Sequence, residues 1–175
     1  GAPLTLYGSI LAVLVACGIG LPFGLIAGFS GGWIDAAISR TIDTMLSFPA
    51  IVLAIGVTGV LGVGQTNSMI AIGIVFSPTI ARLVRGQTLI GREALYVDAA
   101  RCFGASSTRL IVRHILPNAI QPVIVQVTLL LATARLAEAS LSFLGRGVQP
   151  PQPSWGAMLA RAYYYMESAP SHMYA

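Results

Sequence analysis

Lysine is absent from this 175-residue chain, and all ten of its basic residues are arginine. That excludes a phosphate-binding loop of the G-x-x-x-x-G-K-[ST] type, so any nucleotide hydrolysis linked to the chain must come from a partner. Charge of either sign is scarce. Only 9% of residues are charged against 55% hydrophobic, and the mean hydropathy is +0.79. Such a composition argues against a soluble globular domain. There are two cysteines, Cys17 in an apolar run and Cys102 in an arginine-rich stretch, so a disulfide between them is not expected. Neither has the neighbours of a metal site or an activated thiol. No H-E-x-x-H and no Cys/His cluster is present to support intramembrane metal chemistry. The expectation is a chain with no catalytic residues, no metal and no cofactor.

What the chain does have is long apolar runs. Residues 4–29 are uncharged and long enough to cross a hydrocarbon core. A signal peptide is disfavoured there by the length and by the lack of a basic leading segment. Pro22 would kink this run, and Gly18, Gly20, Gly24 and Gly28 offer surfaces for close helix packing. A short polar connection, 31–43, carries Asp35, Arg40 and Asp43. A second span is expected over 46–63 with Pro49 in its first turn, then a polar turn at 64–67. A third, interrupted by Pro78, covers 69–84, and a fourth covers 120–144. These readings predict an all-α, polytopic transmembrane bundle in one domain, in contact with membrane lipid.

Six of the ten arginines (Arg82, Arg85, Arg92, Arg101, Arg109 and Arg113) lie between the end of the third apolar run and the start of the fourth. In a membrane protein that clustering marks a cytoplasmic loop, not a nucleic-acid-binding face. It orients the chain so that the first span begins outside and the fourth ends outside. The stretch 145–168 then becomes an external loop, Pro-rich at first, with Trp155 and the tyrosines 163–165 suited to the headgroup level.

The loop 93–117, EALYVDAARCFGASSTRLIVRHILP, is the longest stretch too polar for a bilayer. Leu95, Tyr96, Ala99, Cys102 and Phe103 share one face of a first short helix. Gly104 breaks the pattern as a residue free to take positive φ would. Ser106 or Ser107 caps a second short helix with Leu110, Ile111, His114 and Ile115 as its apolar stripe, and Pro117 ends it. His114 reads as a packed loop residue.

This spacing resembles the EAA loop of ABC-transporter permeases, in which Glu-Ala-Ala, three residues, Gly, nine residues, Ile, one residue and Leu-Pro follow in order. Asp98-Ala99-Ala100 stands for the first triplet, Gly104 falls in place and Leu116-Pro117 closes the motif, with Asp98 for Glu and His114 for Ile as departures. The segments GLPFGLIAGFSGGWIDAAISRTIDTMLSFPAIVLA and LSFLGRGVQPPQPSWG are similar to the permeases serving dipeptides, oligopeptides and nickel. The resemblance implies the type I ABC importer permease fold in a bacterial or archaeal cytoplasmic (inner) membrane. Such permeases have six helices, so this chain is expected to be a central part lacking the first and last.

The resemblance also implies a second permease subunit, two ATP-binding cassette ATPase subunits, and an external substrate-binding protein docking near the Gln65 turn and the Pro150 loop. It assigns ATPase coupling to Glu93, Asp98, Ala99, Ala100, Arg101, Gly104, Arg109, Leu116 and Pro117. Asp98 is the polar contact, Gly104 the turn, and Arg101 and Arg109 the flanking charges. Arg135 and Glu138 are three residues apart in the fourth run, so on a helix they share a face. They either line the substrate path or pair with each other to hold helices together. A passive channel or scaffold, or a non-functional permease fragment, is the competing reading.

Overall fold

A computed structural model describes residues 2–145 and 155–168, and all its regular elements are helical. They are α1 (Ala2–Ser30), α2 (Gly32–Ser47), α3 (Ala50–Leu61), α4 (Gln65–Arg92), α5 (Leu95–Cys102), α6 (Ser107–Leu110), a π-helical turn (Ile111–Ile115), α7 (Leu116–Phe143) and α8 (Trp155–Ser168). Among the described residues three helices are long and apolar enough to cross a membrane: α1, α4, and the continuous helix Ser107–Phe143.

The bundle is built on α1 against α4, which run parallel. A methyl group placed at Gly20 would lie 2.8 Å from the Ser77 carbonyl oxygen, at Gly24 2.6 Å from that of Ala81, and at Gly28 2.8 Å from that of Arg85. Gly73 reciprocates, with the Ala12 carbonyl oxygen 2.6 Å from where its methyl would sit. Glycine at every fourth position therefore brings the two backbones together, the way membrane helices associate where no hydrophobic force acts between them. Gly18 faces open space and takes no part. Pro22 and Pro78 both lie inside unbroken helices. The interior of this pair and α7 is filled by Ala12, Met69, Ile72, Val75 and Ala134 at one end and by Val13, Ala16, Ile80, Val84 and Leu130 further along.

The second apolar region is divided differently from a straight span over 46–63. The expected polar connection, 31–43, is most of α2: Gly31 and Gly32, both at positive φ, reverse the chain after α1, and the helix then keeps Ile42 buried. Phe48 precedes Pro49, whose ring bars the α region for its neighbour, and Phe48 is extended at φ −88°, ψ 142°. That ends α2, and α3 departs at 100° to it. With 12 residues, α3 is about 18 Å long, well short of a hydrocarbon core of about 30 Å. The next turn sits at 62–64, where Gly62 and Gly64 have φ of 92° and 150°. Gln65, Thr66 and Asn67, expected in that turn, form the first turn of α4, and Asn67 Nδ2 donates to the Leu61 carbonyl at the end of α3. At its other end α4 passes the expected limit of 84 and reaches Arg92, whose Nη1 donates to the Phe29 carbonyl near the end of α1.

Two ion pairs fasten α2 to α4. Arg85 donates to both carboxylate oxygens of Asp35 at 2.5 and 2.8 Å, with the side chains 31% and 18% exposed. Arg82 meets Asp43 at 2.5 Å, with both side chains mostly exposed. The first is two-pronged and shielded, whereas the second is open to solvent screening. Asp35→Asn is expected to cost about 1–3 kcal/mol and Asp43→Asn within about 0.5 kcal/mol. Thermal unfolding of the purified variants would show the difference, and equal shifts would count against a structural role for the Asp35 pair.

Pro117 does not end its helix. It lies in the first turn of α7, and the backbone passes from α6 to α7 through the π turn, where the Leu116 N–H bonds the Ile111 carbonyl. A proline cannot donate to the carbonyl four residues back, and a wider turn before it lets the helix continue. The fourth span thus belongs to a 37-residue helix, Ser107–Phe143, instead of starting at 120. Beyond it, α8 docks through Gly156, which packs against the Ala139 carbonyl and Ser142 of α7. The Pro-rich part of the expected external loop, 146–154, and the tail, 169–175, lie outside the described residues.

Candidate functional site

The segment 93–117 forms a compact hairpin of short helices at the ends of α1 and α4. Glu93 caps α4, exposed. Then α5 opens with Asp98 in its first turn and closes with Arg101 in its last, charges that suit the helix dipole at each end. These two lie 3.8 Å apart on the exposed surface. Gly104, at φ 79°, makes the turn: its N–H bonds the Arg101 carbonyl at 2.9 Å, and the Ala105 N–H bonds the Ala100 carbonyl at 3.1 Å. That is a Schellman termination, which needs a left-handed residue where Gly104 stands. Of the two candidate caps for α6, Ser106 is used, its Oγ accepting from the Arg109 N–H at 3.4 Å.

The hairpin has an inner and an outer side. Val97 is fully buried and packs with Leu110 and Ile115 against Leu25 and Phe29 of α1, with Ala100 and Ala105 alongside. Leu95, Tyr96, Ala99, Cys102 and Phe103 are all exposed, so the face expected to carry them is the outward one; Leu95 is 86% exposed and Phe103 92%. Asp98, Arg101, Gly104, Arg109 and Pro117 are also exposed, and Ala100 and Leu116 are half-buried. The structure therefore leaves Leu95, Asp98, Ala99, Arg101, Cys102, Phe103, Gly104 and Arg109 exposed on the hairpin. The base is fixed by Asn118, whose Nδ2 donates to the Tyr96 hydroxyl at 3.1 Å and to the His114 carbonyl at 2.9 Å, with the Tyr96 and His114 rings 6.3 Å apart. No sequence pattern singles out Val97 or Asn118. The first was hidden because the outward apolar stripe is larger than the inward one, and the second because its partners lie 22 and 4 residues away.

Arg135 and Glu138 do not pair with each other. Glu138 is buried, with 3% exposure, and accepts from the Ser142 hydroxyl at 3.0 Å. Arg135 Nε is enclosed with no hydrogen-bond partner among the described residues. A polar group enclosed within a span is costly unless it is satisfied, so Arg135 Nε carries an unmet demand among the described residues. Gly28-Phe29-Ser30-Gly31-Gly32 has the spacing of a nucleophile elbow, but it joins α1 to α2 and lacks the strand that such an elbow requires.

Comparison with known proteins places this geometry. The dipeptide transport system permease protein of Alkalihalophilus pseudofirmus is 46% identical over 170 residues, and the glutathione transport system permease proteins of Pectobacterium atrosepticum and Escherichia coli are 42% and 44% identical. Each alignment covers 97% of this chain, which spans 56% of the relative's length. An inward-facing structure of the MetNI methionine ABC transporter superposes over 97% of this chain and 79% of its own with a TM-score of 0.77, at 20% identity, a likeness of fold. Residues 20–171 match the model of one family, and the chain belongs to it: the binding-protein-dependent transport system inner membrane components.

Proposed function

We propose that this chain is a membrane-spanning part of an ATP-driven importer for peptides or related small solutes, and that α5 and α6 couple it to an ATPase subunit. The observation that carries the reading is the outward apolar face of Leu95, Cys102 and Phe103 on a hairpin whose inner face is locked by Val97 to α1. A large exposed aromatic beside small residues is what a partner cleft grips. A push on that face is passed through Val97 to Phe29 and Leu25, and so to the closely packed α1–α4 pair. Nucleotide then shifts the inward–outward equilibrium by binding the two states with different affinity. Two ATPase subunits, a second permease subunit and an external substrate-binding protein complete the assembly, and the hydrolysis takes place in the ATPase. The hairpin is assigned to the cytoplasmic side by its arginines.

Arg135 is assigned to the substrate path, where the carboxylate of a peptide would satisfy its unpartnered Nε. Glu138, enclosed beside Ser142, sets the local packing of α7. The native Cys102 is exposed and gives a direct test of coupling. In membranes carrying the whole transporter with Cys17→Ser, a thiol crosslinker on Cys102 should join this chain to an ATPase subunit, with a yield that changes on adding nucleotide. Cys102 reachable from the cytoplasm but never crosslinked would favour a passive scaffold, and labelling only from outside would overturn the orientation.

A further inference from the structure

The packing of α2 across α1 and α4 leaves a two-part groove that coupling does not use. Its larger part, about 270 Å³, is almost wholly apolar and is lined by Ile19 and Phe23 of α1, Ile38 and Met45 of α2, and Ile74 and Ala81 of α4. The neighbouring part, about 220 Å³, is half polar, with Ser39, Asp43, Arg82 and Arg85 around it. Ile42 lines both parts, and Ala81 and Arg82 are consecutive, so the arginines lie next to the apolar cleft. We propose that this groove is a specific phospholipid site, with an acyl chain in the cleft and the phosphate on Arg82 and Arg85.

The donors are in place for it. Arg82 uses only Nη2 on Asp43, and Arg85 uses Nε and Nη2 on Asp35. Arg82 Nε and Nη1 and Arg85 Nη1 are left without a hydrogen-bond partner among the described residues, and a fork of guanidinium N–H groups matches phosphate oxygens. The aspartates hold both guanidiniums in position and reduce the local charge, so a bare anion gains little there. An amphiphile gains at both ends, because its chain also enters an apolar cleft. An apolar protein segment would fill the cleft and leave the arginine donors unmet. The site rests on the chain crossing a membrane, and not on the identity of cargo or ATPase.

The test uses the complete transporter in nanodiscs containing a phospholipid with a diazirine in its acyl chain. After photolysis, label should concentrate on peptides around Phe23, Ile38 and Ala81. Thr41 lies on the exposed lip of the cleft, so Thr41→Trp should block it and lower that label about tenfold; Arg82→Gln, in an exposed ion pair, should lower it similarly by removing phosphate donors. Label spread evenly over outward residues such as Leu14 and Leu129 and unchanged in both variants would mean ordinary boundary lipid and overturn the site. Crosslinks from Thr41→Cys to another protein segment would show that protein fills the groove, with the same consequence. ATP-driven uptake measured on the same samples reports on coupling separately, so failure of one reading is distinguishable from failure of the other.

Discussion

Gly24→Leu is expected to dismantle the bundle. The substituted position lies at the centre of the α1–α4 contact, where even a methyl would sit 2.6 Å from the Ala81 carbonyl oxygen and 2.7 Å from Val84 Cβ. Rotating a side chain cannot relieve a clash with backbone, so the helices must part, and the parting undoes Gly20 and Gly28 as well. A loss of about 3 kcal/mol or more follows, on the order of 10 °C in the unfolding midpoint, or failure to insert as a monodisperse protein. Gly18→Leu is the internal control. It stands on the same helix, six residues away, with nothing within 4 Å, and should change stability by less than about 0.5 kcal/mol. Size-exclusion profiles and melting curves of the two proteins in the same detergent would decide the matter. Equal behaviour would mean that α1 and α4 are not packed at this register.

That contrast shows how much of the architecture was legible beforehand. Four glycines in the first run announced a packing surface, but only the partner helix could say that Gly20, Gly24 and Gly28 are in it and Gly18 is not. Hydropathy located α1 and the apolar parts of α4 and α7, since a run of uncharged residues has one good environment. It failed over 31–63, because a helix that is polar on one side, as α2 is, reads as a loop when charge is averaged along the chain. The Phe48-Pro49 step carried the signal for the break, in the bar that proline places on its predecessor. It also failed at Pro117, read as a stop. The helix goes on because one π turn absorbs the missing donor, and such turns leave no pattern in sequence. The coupling hairpin was legible in outline through its Gly and Ser positions. Its polarity was not: the apolar stripe from Leu95 to Phe103 had the period of a buried face and is a surface. Arg135 and Glu138 had the spacing of a pair, yet burial beside Ser142 turned the carboxylate to another donor.

Phe103→Asp is expected to separate the transporter from its ATPase while leaving this chain intact. The side chain is 92% exposed and follows directly on the last residue of α5, so within the chain it supports almost nothing. Its removal should move the melting temperature very little. In the proposed complex it is the most exposed aromatic of the hairpin, and aromatic anchors of that kind typically account for 2–4 kcal/mol of an interface, about a 30- to 1,000-fold change in affinity. An aspartate there would also add a charge that the cleft of the partner must desolvate. Co-purification of the ATPase should fall accordingly, and substrate-stimulated ATP hydrolysis should fall with it. Gly104→Val is the useful companion, because it acts through the backbone: a β-branched residue resists φ 79°, so the Schellman turn opens and the outward face is displaced. Coupling should be lost there too, but now with some loss of order in the hairpin, detectable as faster amide exchange at Ala105. If Phe103→Asp keeps its ATPase and transports normally while Gly104→Val does not, the grip lies elsewhere on the hairpin and Leu95 becomes the next residue to test. If both variants transport normally, the hairpin does not carry the coupling, and the apolar surface it presents has another partner.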